Sequence, residues 1–338
     1  MIDIAIIGGG VSGLWTLHRL RDLGYDAHLF EKYALGTGQT IASQGIIHGG
    51  LKYALDGIMR PHTSALSGMP TRWLNCLGGE GEADLRNTRV LCEHQVLNFN
   101  NSVVGSFATK LMFGQVTPTS NGEYELDEPV LDVKSLLDNL QSLNSEYIYQ
   151  CEPVKHRLAI YTAGTGNESP NLNTQRRPLR MIMVRGMPHK EYTHYVGTSS
   201  KPLATVTTHE LNNEFVWYIG GEVAEEAINK FVPLKFAKQR MEIIMPRTAW
   251  SNRLWAFHDV NRAEPAWGLT LPSRPTIVTN GDTCVAWPAK LAFAPVLADE
   301  VVKWVLTKDI APKRSYSLAL PKPLTAKYPW ETADWVML

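Results

Sequence analysis

A glycine-rich turn close to the start of the chain limits the folds available to this sequence. Residues 2–7 before it read IDIAII, a short and almost wholly apolar run of the kind found in a buried parallel strand. Gly8, Gly10 and Gly13 follow at the G-x-G-x-x-G spacing, which allows a tight turn, backbone approach to a pyrophosphate and close packing of helix on strand. A helix ending at Gly24 is predicted next, because leucines recur at every third position: Leu14, Leu17, Leu20 and Leu23.

An acidic residue completes this pattern. A second strand is predicted at 27–30, and it places Glu31 eighteen residues after Gly13. A carboxylate there can accept hydrogen bonds from the ribose hydroxyls of an adenosine, while the start of the helix holds the phosphates. A glycine pattern alone is a weak signal, but strand, glycines, helix, strand and acid in this order predict dinucleotide binding. The neighbouring residues expected to contact the cofactor are Val11, Ser12 and Lys32.

The composition argues against several classes of protein. The 338 residues are enough for one large or two medium domains, and lysine plus arginine equals aspartate plus glutamate at 33 each. No net charge therefore favours nucleic acid or an anionic membrane. No apolar run approaches the ~20 residues of a transmembrane segment, and no signal peptide is expected because the first strand begins at residue 2. The four scattered cysteines form no C-x-x-C pair, so we expect no metal site and a reducing, cytoplasmic setting, with peripheral membrane association left open.

A second segment, residues 36–53, is rich in glycine and small polar residues. Such a segment can be an ordinary surface loop, although a structureless loop of this length is unusual unless it is functional. It can also wrap a cofactor, because small residues let backbone N–H groups face a phosphate or a ring, and hydroxyls add donors. On this second interpretation the cofactor contacts are Thr40, Ser43, Gln44 and Gly45.

Residues 4–32 together with 43–53 resemble the D-amino-acid-oxidase superfamily of FAD enzymes. The loop Ser43-Gln44-Gly45-Ile46-Ile47-His48-Gly49-Gly50-Leu51-Lys52-Tyr53 is most similar to that of FAD-dependent glycerol-3-phosphate dehydrogenases and L-2-hydroxyglutarate oxidases. Nicotinamide dehydrogenases have no such loop, so the resemblance implies FAD rather than NAD.

The resemblance also implies cofactor contacts later in the chain. The strand ending in Ala163 and Gly164 resembles the third FAD signature of the family, with a plain hairpin strand as the alternative. The loop 290–295, with Lys290 and Leu291, implies a helix N-terminus beneath the flavin, with a proline-capped surface helix as the alternative. Gly281, in a turn just before this loop, is assigned to the same site. The family's β-hairpin between the returning helix and the third signature has only about ten residues available here, at 147–157, so adenine contacts from this region are in doubt.

The predicted fold class is α/β, or α+β overall, with a Rossmann-like FAD-binding domain interleaved with an antiparallel-sheet substrate domain. The FAD domain is expected at 1–60, 130–175 and 256–338, and the substrate domain at 61–129 and 176–255. Strands are predicted at 179–184, 203–208 and 215–220, with a turn at Asn212-Asn213 and a helix at 222–231. His189 and His194 are interpreted as loop histidines rather than metal ligands, because no partner lies at metal-binding spacing.

The predicted function is an FAD-dependent oxidoreductase that moves a hydride from a small hydroxy acid or amino acid to flavin. The catalytic candidates are His48 as a proton acceptor and Lys52 and Arg262 as cationic groups for an acidic substrate. His48 can alternatively hydrogen-bond the flavin or backbone, or anchor the flavin covalently. Two other classes stay open: an NAD(P)-dependent dehydrogenase, and a flavin-binding protein without a working substrate site. The sequence also leaves open whether the electron acceptor is oxygen or a quinone.

Overall fold

The computed structural model describes residues 1–49, 66–99, 117–118, 123–167, 172–197, 201–266, 274–288 and 290–338. Lys52 lies outside these ranges. The strands of the described residues are β1 (Ile2–Ile7), β2 (Ala27–Glu31), β3 (Val90–Cys92), β4 (Gln95–Asn98), β5 (Thr117–Pro118), β6 (Tyr124–Leu126), β7 (Val130–Leu131), β8 (Ile148–Gln150), β9 (His156–Tyr161), β10 (Thr174–Met187), β11 (Thr193–Val196), β12 (Pro202–Leu211), β13 (Glu214–Gly220), β14 (Leu254–Pro265), β15 (Thr276–Asn280), β16 (Thr283–Trp287) and β17 (Val336–Met337).

The α-helices in the same ranges are α1 (Val11–Asp22), α2 (Met69–Gly78), α3 (Val133–Leu143), α4 (Glu222–Ala227), α5 (Pro233–Ile244) and α6 (Ala294–Leu306). Asp132 caps α3 by accepting a hydrogen bond from the Ser135 N–H at 2.8 Å. The helix predicted at 222–231 ends earlier, at Ala227. Among the residues described, none of the helices combines the length and the apolar character needed to cross a bilayer.

Among the described residues, the smaller of the two main sheets has six strands in the order β15-β16-β9-β1-β2-β8. β1 pairs in parallel with both β2 and β9, and β8 and β16 extend the parallel arrangement on either side. The central strand β1 is buried along almost its whole length, as its apolar sequence predicted. α1 packs against α3 and α6 on one face. This is the predicted Rossmann-like layer.

The part of the chain that the structure describes gives the larger sheet nine strands, in the order β17-β14-β10-β13-β12-β11-β4-β6-β5. Its centre is antiparallel, as predicted. Asn212 and Asn213, between β12 and β13, have φ angles of 51° and 64°, which is the left-handed backbone that a two-residue hairpin turn requires. One histidine prediction was wrong: His194 lies within β11 and not in a loop.

The larger sheet has two differently buried faces. Met181, Met183, Tyr218 and Ala256 point into the core that the sheet shares with the smaller sheet, and we call this side the inner face. The alternate residues, such as Ile182 and Trp217, form a separate core beneath α4 and α5. The inner face therefore lies over the smaller sheet.

Two strands cross the predicted domain boundaries. β14 pairs with β10 from Thr174 to Arg185, so the predicted boundary at residue 256 divides a continuous strand of the larger sheet. The start of β10 likewise precedes residue 176. The remaining boundaries stay a prediction.

Between β8 and β9, the fully described residues 151–155 form no hairpin, and the chain passes directly from one parallel strand to the other.

The C-terminal tail packs against the larger sheet without forming a long helix or strand. Tyr328 and Trp330 are buried, and the Trp330 ring stacks on His209 with centroids 4.1 Å apart. Tyr218 packs edge-on against Trp330 and donates a hydrogen bond through its hydroxyl to the Ala42 carbonyl at 2.9 Å. An aromatic cluster thus joins the tail, the larger sheet and the loop that precedes His48.

Candidate active site

The glycine-rich turn joins β1 to α1 at the edge where the parallel strands end. Gly8 has φ = 114°, and a Cβ there would lie 2.7 Å from the Ala163 Cα. A Cβ at Gly13 would overlap the carbonyl oxygen of Gly8. Both positions therefore need glycine, because three pieces of backbone approach each other too closely for a side chain. Ala163 and Gly164 lie beside this turn, where the third signature was expected.

Glu31 lies at the end of β2, at the mouth of the same turn. Its Oε2 accepts a hydrogen bond from the Gly9 N–H at 2.6 Å, and its Oε1 accepts one from the Tyr33 N–H at 2.8 Å. Lys32 is exposed, with its ammonium group 3.9 Å from the Glu152 carboxylate. The carboxylate is thus held where a ribose bound at this edge could reach it.

Hydroxyl groups surround the start of α1. Thr40 Oγ1 accepts a hydrogen bond from the Val11 N–H at 3.3 Å. The hydroxyls of Ser12 and Ser43 are buried and have no hydrogen-bond partner among the described residues. Buried hydroxyls normally have partners, so these two fit a group that supplies acceptors. Together with the N-terminus of α1 and Glu31, these residues fit the pyrophosphate and ribose of a dinucleotide.

A second helix begins at the same edge. The segment after β16 carries Lys290 and Leu291 and leads into α6, whose second residue is Pro295. Gly281 is different: it lies in the turn between β15 and β16, at the opposite end of the sheet, where Thr283 pairs with Ala159 near the middle of β9. Its φ of 55° and the hydrogen bond from Lys308 Nζ to its carbonyl explain the glycine as a turn residue. This position does not fit the predicted cofactor contact.

The loop before His48 is held from both sides. The Gly45 carbonyl accepts a hydrogen bond from the Leu131 N–H at 2.9 Å, and the Ile47 N–H donates one to the Pro129 carbonyl at 2.9 Å. Gln44 Nε2 donates to the carbonyls of Thr205 at 2.9 Å and Tyr218 at 3.0 Å, on the inner face of the larger sheet. The amide nitrogen of Gln44 therefore joins this loop to the larger sheet, which leaves its oxygen and its backbone for any cofactor contact.

His48 lies against a buried carboxylate. Its Nδ1 is 3.1 Å from Oε2 of Glu128, while Oε1 of Glu128 accepts a hydrogen bond from the Gly49 N–H at 2.7 Å. The His48 side chain is 17% exposed and that of Glu128 is 3% exposed. With the proton on Nδ1 donated to the carboxylate, the lone pair of His48 is on Nε2, at the other side of the ring. Glu128 thus fixes both the orientation and the tautomer of the imidazole.

A second histidine reaches the same carboxylate. His194 is fully buried, its Nε2 is 3.7 Å from Glu128 Oε2, and its Nδ1 is 2.9 Å from the Thr205 hydroxyl. One potential ligand atom each of His48, Glu128 and His194 lie within 4.8 Å of one another, so these three residues could also hold a metal ion. Sequence reasoning missed Glu128 and dismissed His194. The β-branched and aromatic residues around it, Thr193, Tyr195 and Val196, were the available sign that His194 belongs to a strand.

Arg262 is not part of this cluster. It lies on β14, four strands away from the β11 strand that carries His194, which corresponds to about 19 Å at ordinary strand spacing. Its guanidinium group is 3.4 Å from the Glu225 carboxylate. Burial, and then the charge of the neighbouring Arg177, lower the pKa of Arg262. The structure therefore does not bring Arg262 together with His48.

Known proteins share this arrangement of sheets. A family model described as "FAD dependent oxidoreductase" matches residues 3–101. A probable FAD-dependent oxidoreductase of Pseudomonas aeruginosa is 35% identical to this chain. The comparison extends over 382 aligned positions and covers 98% of each protein. The crystal structure of an FAD-dependent oxidoreductase from that organism has a TM-score of 0.84 at 32% identity, covering 98% of this chain and 97% of that one.

A more distant neighbour shares the fold alone. It is an FAD-bound L-α-glycerophosphate oxidase from Mycoplasma pneumoniae, with a TM-score of 0.65 at 15% identity, covering 94% of this chain and 98% of that one. The glycine-rich turn, Glu31 and the paired sheets of this chain agree with these likenesses. The chain belongs to the family of FAD-dependent oxidoreductases.

Proposed function

We propose that this FAD-dependent oxidoreductase oxidises the hydroxyl-bearing carbon of a small hydroxy acid, with His48 as the base. The observation that carries the proposal is the hydrogen-bonded contact between His48 and the buried Glu128 carboxylate. An amine substrate in its neutral form can lose a hydride without giving up a proton. An alcohol must lose its O–H proton when its C–H leaves as hydride, so it gains more from a base at this point.

His48, Glu128 and Lys52 have different roles in the proposed oxidation. When FAD is bound, its isoalloxazine ring is the hydride acceptor. His48 takes the hydroxyl proton on Nε2, and the substrate's C–O single bond becomes a carbonyl. The charge that forms on the imidazole is offset by Glu128, which lies within hydrogen-bond distance of Nδ1. Lys52, four residues after His48 in the chain, is our proposed cation for the acid group of the substrate.

We propose that FAD lies along the edge shared by the N-termini of α1 and α6. The buried hydroxyls of Ser12 and Ser43 and the crowding around Gly8 and Gly13 support this placement. The proposed contacts are Gly8, Gly10, Val11, Ser12, Gly13, Glu31, Lys32, Thr40, Ser43, Gln44, Gly45, Ala163, Gly164, Lys290 and Leu291.

Anaerobic reduction of the bound flavin tests the substrate class. The purified holoenzyme is mixed without oxygen with 2-hydroxy acids, glycerol phosphate and amino acids in turn, and its visible absorption is followed. We expect bleaching by members of the hydroxyl-bearing set. Bleaching by amino acids alone contradicts the proposal. Reoxidation of the bleached enzyme by oxygen or by a soluble quinone then identifies the electron acceptor.

A further inference from the structure

Gln95 occupies a position on β4 between the strands that lead to Glu128 and His194. It pairs with Leu126 of β6, two residues before Glu128, and on the other side Leu97 pairs with His194 of β11. Alternate residues of a strand share a face, so Gln95 and Leu97 point to the side on which His194 lies. Since Glu128 also reaches His194 there, the Gln95 side chain belongs to the same region as the His48 cluster.

The amide group of Gln95 is buried without partners. Its side chain is 0% exposed, and neither Nε2 nor Oε1 has a hydrogen-bond partner among the described residues. It is the one described residue with two such atoms. Asn139, a buried amide elsewhere, donates to Thr88 Oγ1 at 3.1 Å and so shows the ordinary situation. An unpaired buried amide is costly, and a bound ligand with matching groups removes that cost.

We propose that Gln95 determines substrate specificity by binding a second, uncharged hydroxyl of the substrate. Nε2 needs an acceptor and Oε1 needs a donor, and one hydroxyl group supplies both. A carboxylate can only accept, and it would lie close to the negative charge of Glu128. This inference rests on the proposed function, because the second hydroxyl is placed relative to an alcohol that His48 deprotonates. The substrate class is therefore a hydroxy acid that carries a further hydroxyl group.

Two acids that differ by one hydroxyl test this assignment. Glycerate and lactate are compared as reductants of the bound flavin in the wild type, in Gln95→Met and in the control Leu97→Met, which lies on the same strand. We expect Gln95→Met to lower kcat/KM for glycerate by about 10-fold or more and to leave lactate within about 2-fold. Leu97→Met should leave the ratio unchanged. Flavin content and Tm, measured for each variant, show whether it is folded.

An unchanged glycerate-to-lactate ratio in a folded, flavin-loaded Gln95→Met enzyme overturns the proposal and makes Gln95 a structural residue. If neither acid bleaches the wild type, binding decides the role of Gln95, and the proposed function is decided separately by the wider set of hydroxyl-bearing compounds. A larger rise in Tm with glycerate than with lactate, lost in Gln95→Met, supports the proposal. Equal rises in both proteins overturn it.

Discussion

Glu128 binds two consecutive residues, His48 and Gly49, across a sequence separation of 80 residues from His48. One carboxylate oxygen lies 3.1 Å from His48 Nδ1, and the other accepts the Gly49 N–H at 2.7 Å. The same side chain thus holds the imidazole and the backbone that carries it. Replacing Glu128 should therefore affect proton transfer without removing the cofactor site.

Glu128→Gln keeps the size of the side chain and an acceptor for Gly49, but removes the charge beside His48. We expect the rate of flavin reduction by a hydroxy acid to fall by about 10²-fold or more, with FAD retained, because the imidazolium is no longer stabilised. Stopped-flow absorption under anaerobic conditions measures this. Glu80→Gln, on the exposed surface, is the control and should keep the full rate. A full rate in Glu128→Gln would mean that the carboxylate has no part in the reaction.

Gly13→Ala should give protein without flavin. Even a single methyl group there would overlap the Gly8 carbonyl oxygen, which forces α1 away from β1. The absorption spectrum of the purified variant measures the loss. Gly68→Ala is a matched control, because a Cβ at Gly68 meets no atom within 4 Å. Flavin retained at the wild-type level in Gly13→Ala would contradict our account of this turn.

The stability of the protein should fall in mild acid because of His209. Burial lowers the pKa of His209 to about 3, whereas an unfolded histidine titrates near its usual value of about 6.5. Between these values the unfolded chain binds the extra proton, so the free energy of unfolding decreases as the pH falls below about 6.5. The decrease from this residue amounts to about 2 kcal/mol at pH 5.

Denaturant unfolding at pH 5 and pH 7 measures this effect. In His209→Gln, the free energy of unfolding should fall less between pH 7 and pH 5 than in the wild type. His189→Gln replaces a histidine with a half-exposed side chain and should show the same fall as the wild type. The comparison uses the pH dependence of each variant, because the His209 ring also stacks on Trp330 and its loss lowers stability at every pH. The same pH dependence in all three proteins would show that His209 is not buried as a neutral ring.

Added Zn²⁺ should inhibit flavin reduction. The ligand atoms of His48, Glu128 and His194 lie within 4.8 Å of one another, so the ion would take the groups that hold and move the proton. His194→Gln should require higher Zn²⁺ concentrations for the same inhibition. Dialysis against a chelator should leave the rate unchanged, since a base needs no metal. Activity that is lost to the chelator and restored by a divalent ion would identify a metal enzyme instead.

Local patterns predicted those parts of the molecule that depend on neighbouring residues. Gly8, Gly13 and Glu31 belong to one continuous strand-turn-helix-strand unit, so their spacing determines their geometry. Glu128 and His194 meet only because β4 lies between β6 and β11 in the larger sheet, an order that no local pattern specifies.

Two predicted site residues lie away from the places predicted for them from the sequence. Arg262 was predicted as a cation for an acidic substrate, but the strand order places it four strands from His194. Gly281 was predicted to contact the cofactor, but the direction of β16 puts its turn at the opposite end of the sheet. Neither the composition nor the spacing of residues in the sequence specifies the direction or the order of the strands in a sheet.

The measurement that tests the central claim most directly is the rate of flavin reduction in His48→Asn. The variant is mixed anaerobically with the hydroxy acid that best bleaches the wild type, and its FAD content is measured in the same preparation. We expect FAD to be retained and the rate to fall by about 10²-fold or more, because asparagine keeps a hydrogen-bonding group but cannot accept the proton. An unchanged rate with full FAD content would contradict the assignment of His48 as the base.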